Sequence, residues 1–247
     1  MRYAAGVIEL VTFDLDDTLW DAGPVLRRAD EVQYAWISAH APKVAARYGI
    51  AELAAYRRQL AAADPALRHD FTALRHAALA RLLAAHGYDP ARAHDGVAEF
   101  LRARSTVQLY PEVDATLRAL AAEFRLAAIT NGNTDLRQAG VAHYFEFCLA
   151  PSDTGTSKPD PAMFEAACAR AGVAASATVH VGDEPYHDVE GAHRAAVTAV
   201  WVNRQGRPWP PAQRRPAAEI AHLGALPAAL RALARAPADG AGRGLRP

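Results

Sequence analysis

The run Val7-Ile8-Glu9-Leu10-Val11-Thr12-Phe13-Asp14-Leu15-Asp16-Asp17-Thr18-Leu19-Trp20-Asp21 decides the fold. It opens as a mostly apolar segment, of the kind that fills the middle of a parallel sheet, and ends in carboxylates followed by a threonine. A strand buried on both faces cannot keep acids along its length. Asp14, Asp16 and Asp17 therefore belong at its C-terminal end, where open α/β sheets carry their ligand crevice. Taken alone, the run would read equally well as a strand followed by an acidic turn, because Asp is common in turns. The other segments decide between the two.

Residues 22–108 read as helical throughout. Leu26, Ala29, Val32, Trp36 and Ile37 recur at helical spacing, as do Phe71, Leu74, Ala78 and Leu82, and then Val97, Phe100 and Leu101. Gly49, Asp64-Pro65, Gly87 and Asp89-Pro90 punctuate the run and divide it into about four helices. A helical block lying between the first strand and all later ones must pack mainly on itself, so it forms a cap subdomain standing over that strand's end. Trp20, Arg27, Arg28 and Trp36 are candidates to face the carboxylates from this side. Trp36 continues an apolar stripe and reads better as core.

From Leu109 onward helix and strand alternate, which implies a parallel sheet wound by right-handed crossovers. Val113, Leu117 and Leu120 mark a helix. Strands are expected over 124–130, 145–150, 177–181 and 197–202, and a helix carrying Leu136 on its apolar face is expected after the first of these. Asp160 and Pro161 suit the N-cap and first residue of the helix that ends before Gly172. Ile220 and the helix over 226–233 close the fold. The fold class is thus α/β: a Rossmann-like doubly wound parallel sheet core over 1–21 and 109–235, with an inserted all-helical cap over 22–108. Residues 236–247, rich in Ala, Gly, Pro and Arg, read as a flexible tail.

Composition excludes several classes. The chain has 247 residues, 51% hydrophobic and 22% charged, which suits a globular protein with one substantial core. Lys plus Arg and Asp plus Glu are equal at 27 each, so no net field draws the chain to nucleic acid or to an anionic membrane. No run approaches the roughly 18 apolar residues of a membrane span, and no secretion signal opens the chain, so the cytoplasm is the expected compartment. Cys148 and Cys168 lie in apolar surroundings and read as packing residues of a reducing compartment. The ten histidines are scattered and suggest no zinc site. Nothing in the sequence signals oligomeric state.

The polar groups converge. Three expected strands end in Asp14-x-Asp16, Thr130-Asn131-Gly132 and Gly182-Asp183, and in a parallel sheet all three ends share one edge. Carboxylates from two strands, with Asp188 five residues beyond Asp183, can hold a hard divalent cation, most simply magnesium. Thr130 and the amides around Asn131 and Gly132 are donors suited to an anion, and Lys158 adds positive charge. Each feature alone has an ordinary reading as turn or surface. Their joint placement around one crevice does not follow from turn chemistry.

These residues resemble the haloacid dehalogenase-like hydrolase superfamily. The D-x-D-x-T motif matches Asp14-Leu15-Asp16-Asp17-Thr18, the strand ending in Thr or Ser matches 127–130, the motif lysine falls on Lys158, and G-D-x-x-x-x-D falls on 182–188. The helical insert resembles the superfamily's first-position cap, and D-L-D-D-T-L-W-D, I-T-N-G-N and H-V-G-D are similar to its flavin mononucleotide phosphatase branch. One departure is Ala196, where relatives usually carry a glycine before the following strand; it bears on a backbone turn.

The resemblance implies a magnesium-dependent hydrolase of a small-molecule phosphomonoester such as flavin mononucleotide. Asp14 would be the nucleophile, forming an aspartyl-phosphate, and Asp16 the general acid and then base. The metal would be held by the Asp14 side chain, the Asp16 carbonyl and Asp183, with Asp188 supporting that shell. Lys158, Thr130, Asn131 and Gly132 would hold the phosphate. Rival readings are a sugar phosphomutase with the same machinery, a haloacid dehalogenase, and a non-catalytic binding protein on the same fold. A dehalogenase of this superfamily needs no magnesium and carries a non-acidic residue where this chain has Asp16. A binding protein has no use for all four groups in register.

Overall fold

Leu10–Phe13 forms the first strand, β1, and all its residues are buried. Fully burying one such Leu, Val or Phe contributes roughly 1.5–3 kcal/mol, so an acid within the strand would be out of place. The computed structural model describes residues 7–235; the tail expected over 236–247 lies outside the described residues. β1 joins β2 (Arg125–Ile129), β3 (Cys148–Leu149), β4 (Thr178–Gly182), β5 (Thr198–Val202) and β6 (Ala218–Ile220) in one six-stranded sheet. The order is β3-β2-β1-β4-β5-β6 and every pairing is parallel. The chain winds outward from β1 to β3 and then crosses back to β4, so the switch point of the sheet lies between β1 and β4. Phe13 pairs with Ala128 of β2 and Val181 of β4, which brings Asp14, Thr130 and Asp183 out of the sheet at one edge.

The inserted helices between β1 and Leu109 are α1 (Ala22–His40), α2 (Pro42–Ala45), α3 (Ile50–Ala63), α4 (Phe71–Ala85) and α5 (Ala93–Arg104). Aspartates set several of their starts. Asp21 accepts from the Gly23 amide at the head of α1, and Asp70 accepts from the Ala73 amide at the head of α4. Asp64 and Asp89 cap short 3₁₀ turns between the helices in the same way. The helices build a core of their own around Ile37, Leu53, Leu79, Leu83 and Val97. This is the cap.

The core helices are α6 (Val113–Ala121), α7 (Pro151–Thr154), α8 (Pro161–Ala171), α9 (Gly191–Arg194) and α10 (Leu226–Arg235). Alternation along β1 sends Val11 and Phe13 to the face covered by Leu117 of α6 and Leu230 of α10, and Leu10 to the face covered by Phe164 of α8 and Ala192 of α9. Asp160 caps α8 through the Ala162 amide, with Pro161 first, and Gly172 ends it in the left-handed region. Cap and core meet through side chains. Asn133 donates to Thr72 at 3.0 Å, and His69 lies 2.8 Å from the Ser157 hydroxyl.

Three local expectations differ from the structure. The buried face of α1 is Ala22, Val25, Ala29, Gln33 and Ile37, so Leu26 is off the core and 40% exposed. Gln33 belongs inside because its amide donates to the Gly96 carbonyl and accepts from Arg75. The helix expected around Leu136 is a single turn. The Leu136 carbonyl accepts from both Val141 and Ala142, and Gly140, at φ +79°, ends the turn. The strand expected over 145–150 shrinks to Cys148–Leu149, paired with Ala128 and Ile129 at the sheet edge.

Candidate active site

Asp14 is the first residue beyond β1, its amide donating to the Val181 carbonyl, so the strand's last ladder bond fixes its place. Its carboxylate is almost buried. Oδ1 accepts from Lys158 Nζ at 2.5 Å and Oδ2 from the Thr18 hydroxyl at 3.3 Å. The same hydroxyl lies 3.5 Å from Asp183 Oδ1. Lys158 also donates to Asp188 Oδ1 at 2.6 Å, so one buried ammonium joins the first and last acidic segments of the sequence.

Asp188 is supported on all sides. Oδ1 also lies 3.2 Å from His180 Nε2, and Oδ2 accepts from the Glu184 amide at 2.9 Å. His180, fully buried on β4, turns its other nitrogen to the Thr12 hydroxyl at 2.9 Å. Gly182 makes this closeness possible, since a Cβ there would stand 2.3 Å from Asp188 Cγ. Asp183 is held at its backbone, with its carbonyl accepting from Trp201 Nε1 at 2.7 Å and from Arg207 Nη2 at 2.9 Å.

Asp14, Asp183 and Asp188 offer oxygens within 4.8 Å of one another, a donor set of hard oxygens able to hold a divalent cation. The electrostatics say the same. Burial raises Asp14 to about 7, with Lys158 opposing and Asp188 adding to the rise. Burial, then Asp188 and Asp14, raises Asp183 to about 8. Burial pushes Asp188 up too, but Lys158 and His180 outweigh it and hold the carboxyl well below the usual range. Lys158 loses by burial and gains more from Asp14 and Asp188, so it stays protonated. One ammonium does not satisfy two buried carboxylates and a third that is partly buried, and a doubly charged cation would.

Thr130, Asn131 and Gly132 leave β2 beside this cluster. Asn131 accepts from the Lys158 amide and donates to the Lys158 carbonyl, and the Gly132 amide donates to Thr130 Oγ1 at 2.9 Å. The structure thus brings together Asp14, Thr130, Asn131, Gly132, Lys158, Asp183 and Asp188, which with Asp16 line one cavity of about 440 Å³.

Asp16 is close by but faces the cap. Its Oδ1 accepts from Trp20 Nε1 at 2.9 Å, and its Oδ2 is paired with Arg104, the last residue of α5. Asp17, at φ +59°, turns the chain sharply just after it. A Cβ on Gly132 would stand 2.9 Å from Asp16 Oδ2 and 3.1 Å from Arg104 Nη2, so this ion pair requires glycine on the facing loop. Trp20 is fully buried as the anchor of Asp16. Trp36 packs on the cap core and stacks on His40, while Arg28 holds the carbonyls of Ala103 and Thr106; neither lines the two cavities around Asp16, nor does Arg27.

Sequence reasoning missed Arg104, His180 and Arg207. His180 had a legible signal, a polar residue inside an otherwise apolar strand. Arg104 and Arg207 had none, because arginines outside any motif look like ordinary surface. A second cavity, of about 240 Å³, opens on the cap side of Asp16 and is bounded by cap residues including Leu26, Phe71 and Arg75.

A doubly wound sheet whose switch point carries an acid-lysine cluster beneath a helical lid defines a capped α/β enzyme. The chain belongs to the haloacid dehalogenase-like hydrolase family, whose sequence model matches residues 8–196. Among curated relatives, it is 32% identical over 201 residues to the Escherichia coli 5-amino-6-(5-phospho-D-ribitylamino)uracil phosphatase YigB, covering 80% of this chain and 84% of that one. It is 42% identical over 131 residues to a Thermus thermophilus phosphoserine phosphatase, spanning 51% of this chain and about half (53%) of that protein. Among solved structures, a 2-haloacid dehalogenase from Pseudomonas syringae pv. tomato superposes with a TM-score of 0.86 at 44% identity, covering 92% of this chain and 99% of that one. Among the described residues, no helix is long and apolar enough to cross a membrane.

Proposed function

We propose that the protein is a cytoplasmic, magnesium-dependent phosphomonoester hydrolase acting through an aspartyl-phosphate on Asp14. The observation that carries this reading is the cluster of Asp14, Asp183 and Asp188, three acids within 4.8 Å that a displacement of halide from carbon would not need. Asp16 supports it further, since ester cleavage needs a proton donor near the leaving oxygen and halide release does not.

In this mechanism a bound magnesium would be held by Asp14, Asp183 and the Asp16 carbonyl, and would offset the charge of the phosphate. An Asp14 oxygen attacks phosphorus in line and the ester P–O bond breaks. Asp16 turns from Trp20 and Arg104, takes up a proton from solvent as that ion pair breaks, and gives this proton to the departing oxygen. It then takes a proton from water as that water attacks phosphorus, the P–O bond to Asp14 breaks, and the carboxylate is restored. Lys158 holds Asp14 in position and neutralises an equatorial oxygen, and Thr130 with the Asn131 and Gly132 amides binds the others. Asp188, whose oxygens are taken by Lys158, His180 and the Glu184 amide, acts by holding the lysine and the loop.

The substrate is a flat, partly apolar phosphomonoester such as flavin mononucleotide, supported by the Asp14 to Asp21 motif and by the uracil-type substrate named for the Escherichia coli relative. A broad ligand contributes binding energy away from phosphorus that can position the phosphate against Asp14. A second reading, 2-haloacid dehalogenation, is favoured by the 44% identical Pseudomonas structure. One assay separates them. With magnesium, the protein releases phosphate from flavin mononucleotide with kcat/KM at least about tenfold above that for glucose 6-phosphate, and releases no halide from 2-chloropropionate. Parity of the esters removes the flavin assignment, and halide release without phosphate release removes the phosphatase.

A further inference from the structure

The cap-side cavity carries more positive charge than its surroundings balance. Arg57 and Arg75 both pair with the single carboxylate of Asp30, at 3.3 and 2.8 Å, and Arg104 pairs with Asp16. Three guanidiniums therefore line the cavity and share two carboxylates, of which only Asp16 lines it. Arg104 is 2% exposed, and its Nη1 has no hydrogen-bond partner among the described residues, a costly state for a buried donor. Burial, then Arg57, pulls Arg75 down to about 10, as expected where two guanidiniums share one anion.

The rest of the wall is apolar and open. Leu26 and Phe71 are 40% and 50% exposed, among the few large apolar side chains left uncovered, and both line this one cavity with Phe100. The Arg75 guanidinium carbon sits over the Phe100 ring, 3.3 Å from its centroid, so cation and aromatic wall form one surface. The cavity shares Asp16, Asn131 and Gly132 with the phosphate cavity, so it receives whatever is attached to the ester oxygen.

We propose that this cavity is the leaving-group subsite and selects alcohols with an apolar body and an acceptor oxygen, best a carboxylate, read by Arg57, Arg75 and Arg104. The proposal rests on the phosphatase reading and narrows its substrate class. The body displaces water from Leu26, Phe71 and Phe100, and the acceptor supplies the charge that the arginines lack. When Asp16 turns to the leaving oxygen it releases Arg104, whose guanidinium then has both edges available for the ligand.

Phenyl, 4-carbamoylphenyl and 4-carboxyphenyl phosphate present the same ring with no acceptor, a neutral acceptor and a charged one. The wild-type protein with magnesium should show kcat/KM rising in that order, by at least about tenfold from first to last. In Arg57→Met the ratio of last to first should fall to within about threefold of one. Calorimetric binding of the same esters to Asp14→Asn protein should show the same order without turnover. Parity of the esters in both measurements overturns the subsite, and so does a preference that Arg57→Met leaves intact. If no ester is hydrolysed yet the carboxyl ester still binds best, the phosphatase reading fails and the subsite stands.

Discussion

Asn131 grips Lys158 from both sides of one residue: its Oδ1 accepts from the Lys158 amide at 2.8 Å and its Nδ2 donates to the Lys158 carbonyl at 3.0 Å. The loop after β2 thereby fixes the backbone that aims the ammonium at Asp14 and Asp188. Asn131→Ala removes both bonds and leaves two partly buried backbone groups unsatisfied, at a cost of about 1–3 kcal/mol each. Activity should fall by about 10- to 100-fold, mainly in kcat, with a lower denaturation midpoint. Unchanged kcat in that variant would mean that Lys158 is placed by other contacts.

Asp16→Ala keeps the backbone carbonyl and removes the proton donor. The loss of kcat should be at least about tenfold smaller for 4-nitrophenyl phosphate, whose leaving group needs little protonation, than for an alkyl phosphate. Equal losses on the two esters would assign Asp16 to holding Arg104 and Trp20 alone.

Magnesium should stabilise the protein more as pH rises. Without metal, the native state keeps protons on Asp14 to about 7 and on Asp183 to about 8, whereas the unfolded chain loses them near the ordinary carboxyl value of 3.8. The native state therefore binds more protons across that window, and the contribution of these groups is fully present below the unfolded value and lost as pH rises through the folded ones. A cation displaces the protons and restores it. Thermal melts should show a magnesium-induced rise in Tm that is small near pH 5.5 and larger near pH 8. A shift that shrinks with pH would argue that the cluster is not the binding site.

Ala196 sits at φ +57°, in the left-handed region, where the chain closes after α9 through the Ala196 amide on the His193 carbonyl. A side chain there costs about 1–2 kcal/mol, offset in part by the greater unfolded freedom of glycine. Ala196→Gly should raise stability by about 0.5–1 kcal/mol in urea denaturation and leave kcat unchanged. A destabilised variant would contradict the strain.

The sheet and the acid-lysine cluster were legible because several short apolar runs end in polar or charged residues, and a parallel sheet puts those ends at one edge. Asp14, Thr130 and Asp183 converge because strand register, not local chemistry, brings them together, and Lys158 joins them through the bonds of its backbone to Asn131. The cap was harder. Its α1 stripe is displaced by Gln33, a polar side chain that is buried because Gly96 and Arg75 satisfy it, so Leu26, part of the apolar spacing, lines a cavity instead of the core. Arg104 lies 88 residues from Asp16 and carries no motif, so only the packing of α5 over the sheet reveals the pair. Leu136 kept its place in the core, but the helix expected around it ended after one turn at Gly140.

The most direct test of the account is the covalent state of Asp14 during turnover. Acid quench of the magnesium-loaded protein with 4-nitrophenyl phosphate, followed by peptide mass analysis, should find a phosphoryl group on the peptide containing Asp14 and none in Asp14→Asn, whose phosphate release should fall by at least about 1,000-fold. Phosphoryl transfer to another residue, or near-normal phosphate release by Asp14→Asn, would contradict it.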